Sequence, residues 1–177
     1  MTTTLTIDTA TNRTIVGVDI DGEIALELFH EGATDHGLAL SQLVAQALAK
    51  FPTIDEVVVG MGPGPFTGLR VGIAFAQTFA LGRGITPRGV CTLDAIEVTE
   101  KNYTVAIDAR RKEIYWARYE NGVRVEGPEV RKPDDVKDYI FGLYPSPAKM
   151  VELSKFENYP EVFYLRRPDA IPTAERS

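Results

Sequence analysis

The chain has 177 residues, 44% hydrophobic and 25% charged, with a formal net charge of −6 and a pI near 5.0. That size suits one domain or two small lobes, and a lone cysteine, Cys91, excludes an internal disulfide and a multi-cysteine zinc site. No run approaches the roughly 18 apolar residues of a membrane span, and the start MTTTLTIDTA lacks the regions of a signal peptide, so a cytoplasmic protein without membrane contact is expected.

In chain order, residues 4–29 read as three short strands. The first is TLTIDTA, the second 14–20, the third 24–29, with Asp21-Gly22 as a type I′ hairpin signal between the last two. From His36 to Lys50, Leu40, Leu43, Val44, Ala47 and Leu48 recur at helical spacing, and Pro52 closes the helix. Residues 55–60 form a short valine-rich buried strand. The loop GMGPGPFTGLR comes next, then a helix over 68–81 with Thr67 as its N-cap and Gly82 beyond its end. Residues 84–90 form an extended connector and 93–100 a short helix capped by Thr92. Strands are expected over 103–108, 113–119 and 123–126, with Asn121-Gly122 as a second type I′ signal. Beyond Gly127, prolines break the pattern; helices are expected near 134–141 and 147–155, one more strand at 162–165, and a frayed PTAERS tail.

The sequence repeats itself at an offset of 100. In TLTIDTATNRTIVGVDIDG and TVAIDARRKEIYWARYENG, the residues Thr4, Ile7, Asp8 and Gly22 match Thr104, Ile107, Asp108 and Gly122. Both copies run strand, turn, strand, glycine hairpin. This predicts an α/β fold of two related lobes, the plan of actin-like ATPases and sugar kinases, with lobes at 1–100 and 101–177. Asp8 and Asp108 then either face the cleft between lobes or cap local backbone N–H groups.

The glycine-rich loop fails as a phosphate cradle. It has neither the spacing nor the lysine of a P-loop, and Pro63 and Pro65 each remove an N–H. Alternating Gly and Pro suit a stiff loop that aims the helix after it. In that helix Gly68, Gly72, Ala76 and Ala80 make a stripe of small residues, and apolar residues occupy the other sides. An all-round apolar helix is buried on every side; here it is either the core helix or a face for a partner. Other chemistry is sparse. His30 and His36 are the only histidines, and Leu40 stands where a second ligand would sit at i+4. There is no GxSxG, and Cys91 sits in apolar surroundings. The acidic balance opposes nucleic-acid binding by the chain alone, local cations at Arg110, Arg111 and Lys112, and at Arg166 and Arg167, being the exceptions.

The segments LTIDTATNRTIVGV, VVVGMGPGPFTGLRVGIAFAQTFA, VAIDARRKEIYWARY and FYLRRPDA, in that order, resemble the TsaB (YeaZ) family. The resemblance implies an actin-like (ASKHA, RNase H-like) fold of two duplicated lobes and a non-catalytic paralogue of TsaD. It also implies pairing with TsaD and with the ATPase TsaE in making threonylcarbamoyladenosine in tRNA. The HxxxH metal motif of TsaD reads HGLAL here, so no metal is expected. Pairing through the first lobe's helices implies an interface of His36, Leu40, Leu43, Val44, Phe66, Thr67, Leu69, Arg70, Ile73, Ala76 and Gln77. Asp8, Asp108, Arg110 and Arg111 are the candidate cleft residues. The isolated chain is expected to hold no cofactor, with ATP or ADP only where it joins its partners, to meet tRNA only within the complex, and to form a homodimer when alone. Two departures stand out: Pro65 replaces the family's usual Ser, and no glycine-containing strand and helix come after Glu126, so the second lobe is shortened. The competing readings are an actin-fold ATP-binding kinase or ATPase using Asp8 and Asp108, and a peptidase-like protein.

Overall fold

A computed structural model describes residues 1–32 and 34–166. Its first sheet has the order β3 (Glu23–Glu31), β2 (Arg13–Ile20), β1 (Thr3–Asp8), β4 (Glu56–Gly60), β5 (Arg88–Val90), and its second β8 (Val123–Arg131), β7 (Ile114–Glu120), β6 (Tyr103–Asp108), β9 (Tyr139–Phe141). Strands β1, β2 and β3 form an antiparallel meander, and β4 adds parallel to β1. The second sheet repeats this with β6, β7, β8 and β9, the last parallel to β6. The offset of 100 survives at both hairpins: Asp21 and Gly22 have φ of 53° and 97°, Asn121 and Gly122 have 51° and 75°. A type I′ turn requires that left-handed pair.

Helices α1 (His36–Lys50) and α2 (Phe66–Leu81) pack on the first sheet and on each other. Their inward residues join Leu5, Ile7, Val16, Val57 and Val59 in one core. The third helix, α3 (Pro147–Ser154), comes after β9, yet it packs against β1, β2, β4 and β5 of the first sheet. The segment after it returns too: the Tyr159 N–H donates to the Gly89 carbonyl beside β5 (Arg88–Val90) at 2.9 Å, and Phe163 N–H to Met61 O at 2.9 Å. A polar cluster joins the halves. Tyr119 Oη donates to Asp94 Oδ1 at 2.7 Å, and Arg124 pairs with Asp94 at 3.4 Å and donates to Tyr159 Oη at 3.1 Å.

Several elements differ from the sequence reading, each for a tertiary reason. Helix α2 starts at Phe66 with Pro65 at its N-cap, so Thr67 lies inside it and caps nothing, and Gly82 is right-handed (φ −61°). Residues 92–95 form turns and 93–100 hold no helix, because Asp94 is drawn to Tyr119 and Arg124 and Ile96 bridges to Pro145. The stretch 134–141 holds one 3₁₀ turn, Pro133–Asp135, and then β9, because β6 offers an open edge that Tyr139, Ile140 and Phe141 fill. Residues 162–165 form no strand, because Tyr164 N–H donates to Val162 O at 2.8 Å and Leu165 N–H to Phe163 O at 3.1 Å, local bonds in place of a ladder. Arg167, Pro168, Pro172 and the PTAERS tail lie outside the described residues.

Candidate functional site

The glycine loop works by close approach. A Cβ on Gly60 would strike the Asp8 carboxylate, one on Gly64 would stand 2.5 Å from the Ala10 carbonyl oxygen, and one on Gly68 would stand 2.6 Å from that of Thr9. A Cβ on Gly72 would meet the Thr9 hydroxyl. Four glycines therefore let the loop and α2 lie directly on the turn after β1. Thr9 Oγ1 completes the seam, donating to Gly68 O at 2.7 Å and accepting from Gly72 N–H at 3.1 Å. The small-residue stripe of α2 thus faces this turn and the core of its own chain, not another protein.

Under this seam Asp8 has no solvent exposure. Its carboxylate accepts from Ala10 N–H at 2.8 Å and from Thr92 Oγ1 at 2.8 Å. Thr92 in turn accepts from Gly62 N–H at 3.2 Å. Burial pushes the Asp8 pKa up to about 6, the two hydrogen bonds opposing. The cleft assignment of Asp8 is therefore corrected: it is a buried tie between β1, the glycine loop and Thr92. His36 is buried as well. Its Nδ1 lies 2.8 Å from Thr14 Oγ1, and burial holds its pKa below the usual imidazole value. Among the described residues no three His, Cys, Asp or Glu side chains gather as a metal would require.

Asp108 occupies the matching position in the second sheet and makes the matching bond, accepting from Arg110 N–H at 2.9 Å. It is exposed, with Arg110 Nη1 3.6 Å away. Both residues, with Ile107, line a cleft of about 330 Å³ whose other walls are Thr11, Asn12 and Pro65 of the first half and the strap from Phe141 to Tyr144. Arg111 is exposed on the same turn but does not line the cleft. The strap is clamped by Arg13, whose guanidinium lies 3.8 Å from the Tyr144 ring centre and 4.4 Å from that of Phe29. Cys91 is sealed away; its thiol accepts from Arg124 Nη1 at 3.1 Å, and burial raises its pKa to about 12.

The expected interface residues divide. Phe66, Thr67, Arg70 and Gln77 are exposed on α2. His36, Leu40, Leu43, Val44, Leu69, Ile73 and Ala76 are buried against this chain's own sheet and helices, and are corrected to core positions. They face inward because the sheet needs one continuous apolar stripe from each helix. The sequence reading missed the outward apolar residues Leu38, at 65% exposure, and Leu81, at 80%; the apolar side of α2 away from the small-residue stripe carries half-buried Phe75 and Phe79, whose rings stack 6.0 Å apart beside exposed Ala74 and Thr78. Helical phase could have found Leu38, which sits off the stripe of Leu40, Leu43 and Ala47.

The family model of TsaD, tRNA N6-adenosine threonylcarbamoyltransferase, matches residues 31–168. An uncharacterized protein of Mycobacterium leprae is 41% identical over 204 aligned positions, which cover 97% of this chain and 57% of that protein. The chain thus spans little more than half of that relative, and the aligned stretch exceeds the 177 residues here, so the relative holds residues this chain lacks. The tRNA threonylcarbamoyladenosine biosynthesis protein TsaB of Escherichia coli strain K12 is 36% identical over 149 residues, 76% of this chain and 64% of that one. A solved structure from Pseudomonas aeruginosa, described as similar to the peptidase YEAZ, superposes with a TM-score of 0.79 at 22% identity, covering 94% of this chain and all of that one. The repeated meander with its added parallel strand is the actin-like arrangement of two duplicated lobes, the second shortened where a 3₁₀ turn replaces a counterpart of α1. On family model, relatives and fold together, the chain belongs to the TsaB (YeaZ) family.

Proposed function

We propose that this chain is a non-catalytic scaffold subunit for tRNA threonylcarbamoyladenosine synthesis, pairing with a TsaD-like catalytic relative and activating it. The carrying observation is the outer face of α1 and α2. Exposed Leu38 and Leu81, with the outer sides of half-buried Phe75 and Phe79, leave apolar surface in water after the same helices have filled the core, and such a patch marks a protein contact. A TsaE-like ATPase joins the pair, any ATP or ADP sits where the subunits meet, and tRNA is engaged only in the assembly. Without its partner the same face closes on a second copy as an isologous dimer. A cytoplasmic location accords with this role. A kinase or ATPase reading is disfavoured by Asp8, whose carboxylate is shut away from any phosphate.

The test is tRNA modification in a reconstituted mixture of the TsaD-like and TsaE-like proteins, the enzyme that makes threonylcarbamoyl-adenylate, ATP and tRNA. Modification is expected to require this chain. Leu38→Asp should weaken pairing by at least about tenfold while thermal unfolding stays as in the wild type. Equal modification with and without the chain would end the proposal. Leu69→Ala is the contrasting variant: its side chain is in the core, so it should lower stability by about 2–5 kcal/mol.

A further inference from the structure

Arg110, Arg111 and Lys112 have φ of 62°, 54° and 60°. Three successive non-glycine residues in the left-handed region are rare, because each Cβ crowds the next carbonyl, and such conformations persist only where the surroundings over-determine them. Here they do. Ala109 N–H donates to Glu113 O at 2.9 Å, Glu113 N–H to Arg110 O at 3.0 Å, and Arg110 N–H to Asp108. Arg166 clasps the turn from outside, donating to Arg110 O at 3.3 Å and pairing with the Glu113 carboxylate. The result is a tight turn presenting exposed cations at the rim of the cleft, on a chain whose net charge is −6.

The cations continue into exposed aromatic rings. Tyr164, two residues before Arg166, is 44% exposed and lies 5.1 Å from the Phe66 ring, itself 40% exposed. The Arg70 guanidinium lies 5.2 Å from the Phe66 ring centre. The row therefore runs Arg70, Phe66, Tyr164, Arg166, Arg110, Lys112. Asp108 and Glu113 are the acids within it, and each is engaged by an arginine. Cations alternating with exposed rings suit single-stranded RNA, whose phosphates meet Lys and Arg while unstacked bases lie on aromatic faces. An acidic protein segment would use the cations but leave the rings idle.

We infer that this row, from the left-handed turn to Arg70, is an RNA-backbone contact surface by which the chain holds unpaired tRNA nucleotides while its partner acts on them. This deepens the proposed function and rests on it. The row meets the outer face of α2 at Phe66 and Arg70, so RNA and partner share a boundary.

The test titrates a fluorescent unmodified tRNA transcript with the preformed complex of this chain and the TsaD-like protein, between about 50 and 200 mM salt. Arg110→Gln with Lys112→Gln should reduce affinity about tenfold at the lower salt. It should also reduce the slope of log affinity against log salt by about 2, one for each lost phosphate contact. Lys50→Gln with Lys101→Gln, which removes equal charge at the end of α1 and at the end of β6 opposite the left-handed turn, should leave both unchanged. Excess ATP should not displace the RNA. The inference is overturned if the first pair matches wild type in affinity and slope, if both pairs lose equally, or if ATP competes. Complex formation is measured separately by sedimentation. If the wild-type chain does not pair, the scaffold reading falls, and the same titration on the chain alone decides the inference by the same criteria.

Discussion

The two turns that come after β1 and β6 begin alike and end differently. In each, an aspartate closes the strand and accepts the N–H two residues on, Ala10 for Asp8 and Arg110 for Asp108. The first turn is then roofed by the glycines of the loop and α2, and its aspartate is wholly buried. The second has no such roof, because the helix after β9 crosses to the first sheet and packs there as α3. One repeat unit has thus given a sealed structural joint in one half and an open cationic rim in the other. Function in a duplicated fold depends on what covers the shared geometry, not on the geometry alone.

The largest effect should come from lifting the roof. At Gly64 a Cβ would meet the backbone of Ala10, with the carbonyl oxygen at 2.5 Å and Cα at 2.8 Å, and backbone cannot swing aside. Gly64→Ala should therefore cost about 3 kcal/mol in urea unfolding. Alanine at Gly122, where nothing stands within 4 Å of the added Cβ, meets only the strain of its φ of 75° and should cost about 1–2 kcal/mol. Equal losses at the two sites would show that the loop does not seal the Asp8 turn.

Next comes the aspartate itself. With its pKa raised to about 6, Asp8 binds its proton more tightly in the folded chain than in the unfolded one. Its contribution to stability is then full below the unfolded value of about 3.8 and is lost as pH rises through about 6. Asp8→Asn keeps an acceptor for Ala10 N–H, and the Thr92 hydroxyl can turn to accept from the new amide. It should stabilise the protein at pH 7–8 by about 2–3 kcal/mol and flatten stability between about pH 4 and 6. Unfolding midpoints measured across that range decide it. A profile identical to wild type in Asp8→Asn would mean that the carboxylate is solvated and the turn open.

Much of this contrast is legible in the sequence. The offset repeat places both hairpins and both aspartates, and the Gly-Pro loop reads as stiff and non-cradling because prolines remove N–H groups. Three things are hidden. Nothing local says that α3 packs on the other half's sheet, which is why the second turn is open. The turns at 93–96 arise from distant partners of Asp94, outweighing a fair helical pattern. Apolar richness on α1 and α2 cannot by itself separate core from surface, so it points to Leu40 and Leu69 as interface and passes over Leu38 and Leu81; only phase against the sheet sorts them.

The smallest effect tests the open turn's own strain. Lys112 holds a φ of 60° with its side chain exposed and no partner for it among the described residues. Its left-handed conformation costs about 1–2 kcal/mol, part of which glycine would recover after its own entropy loss. Lys112→Gly should therefore raise stability by about 1 kcal/mol while weakening RNA binding by the complex. The matching first turn, Thr9 to Asn12, has no left-handed residue to relieve. A more stable variant with poorer binding would mean that the chain keeps a strained cation where glycine would fold better, as expected if that position is held for contact. A variant that is less stable would mean the turn is comfortable as built, and the difference between the two turns would rest on burial alone.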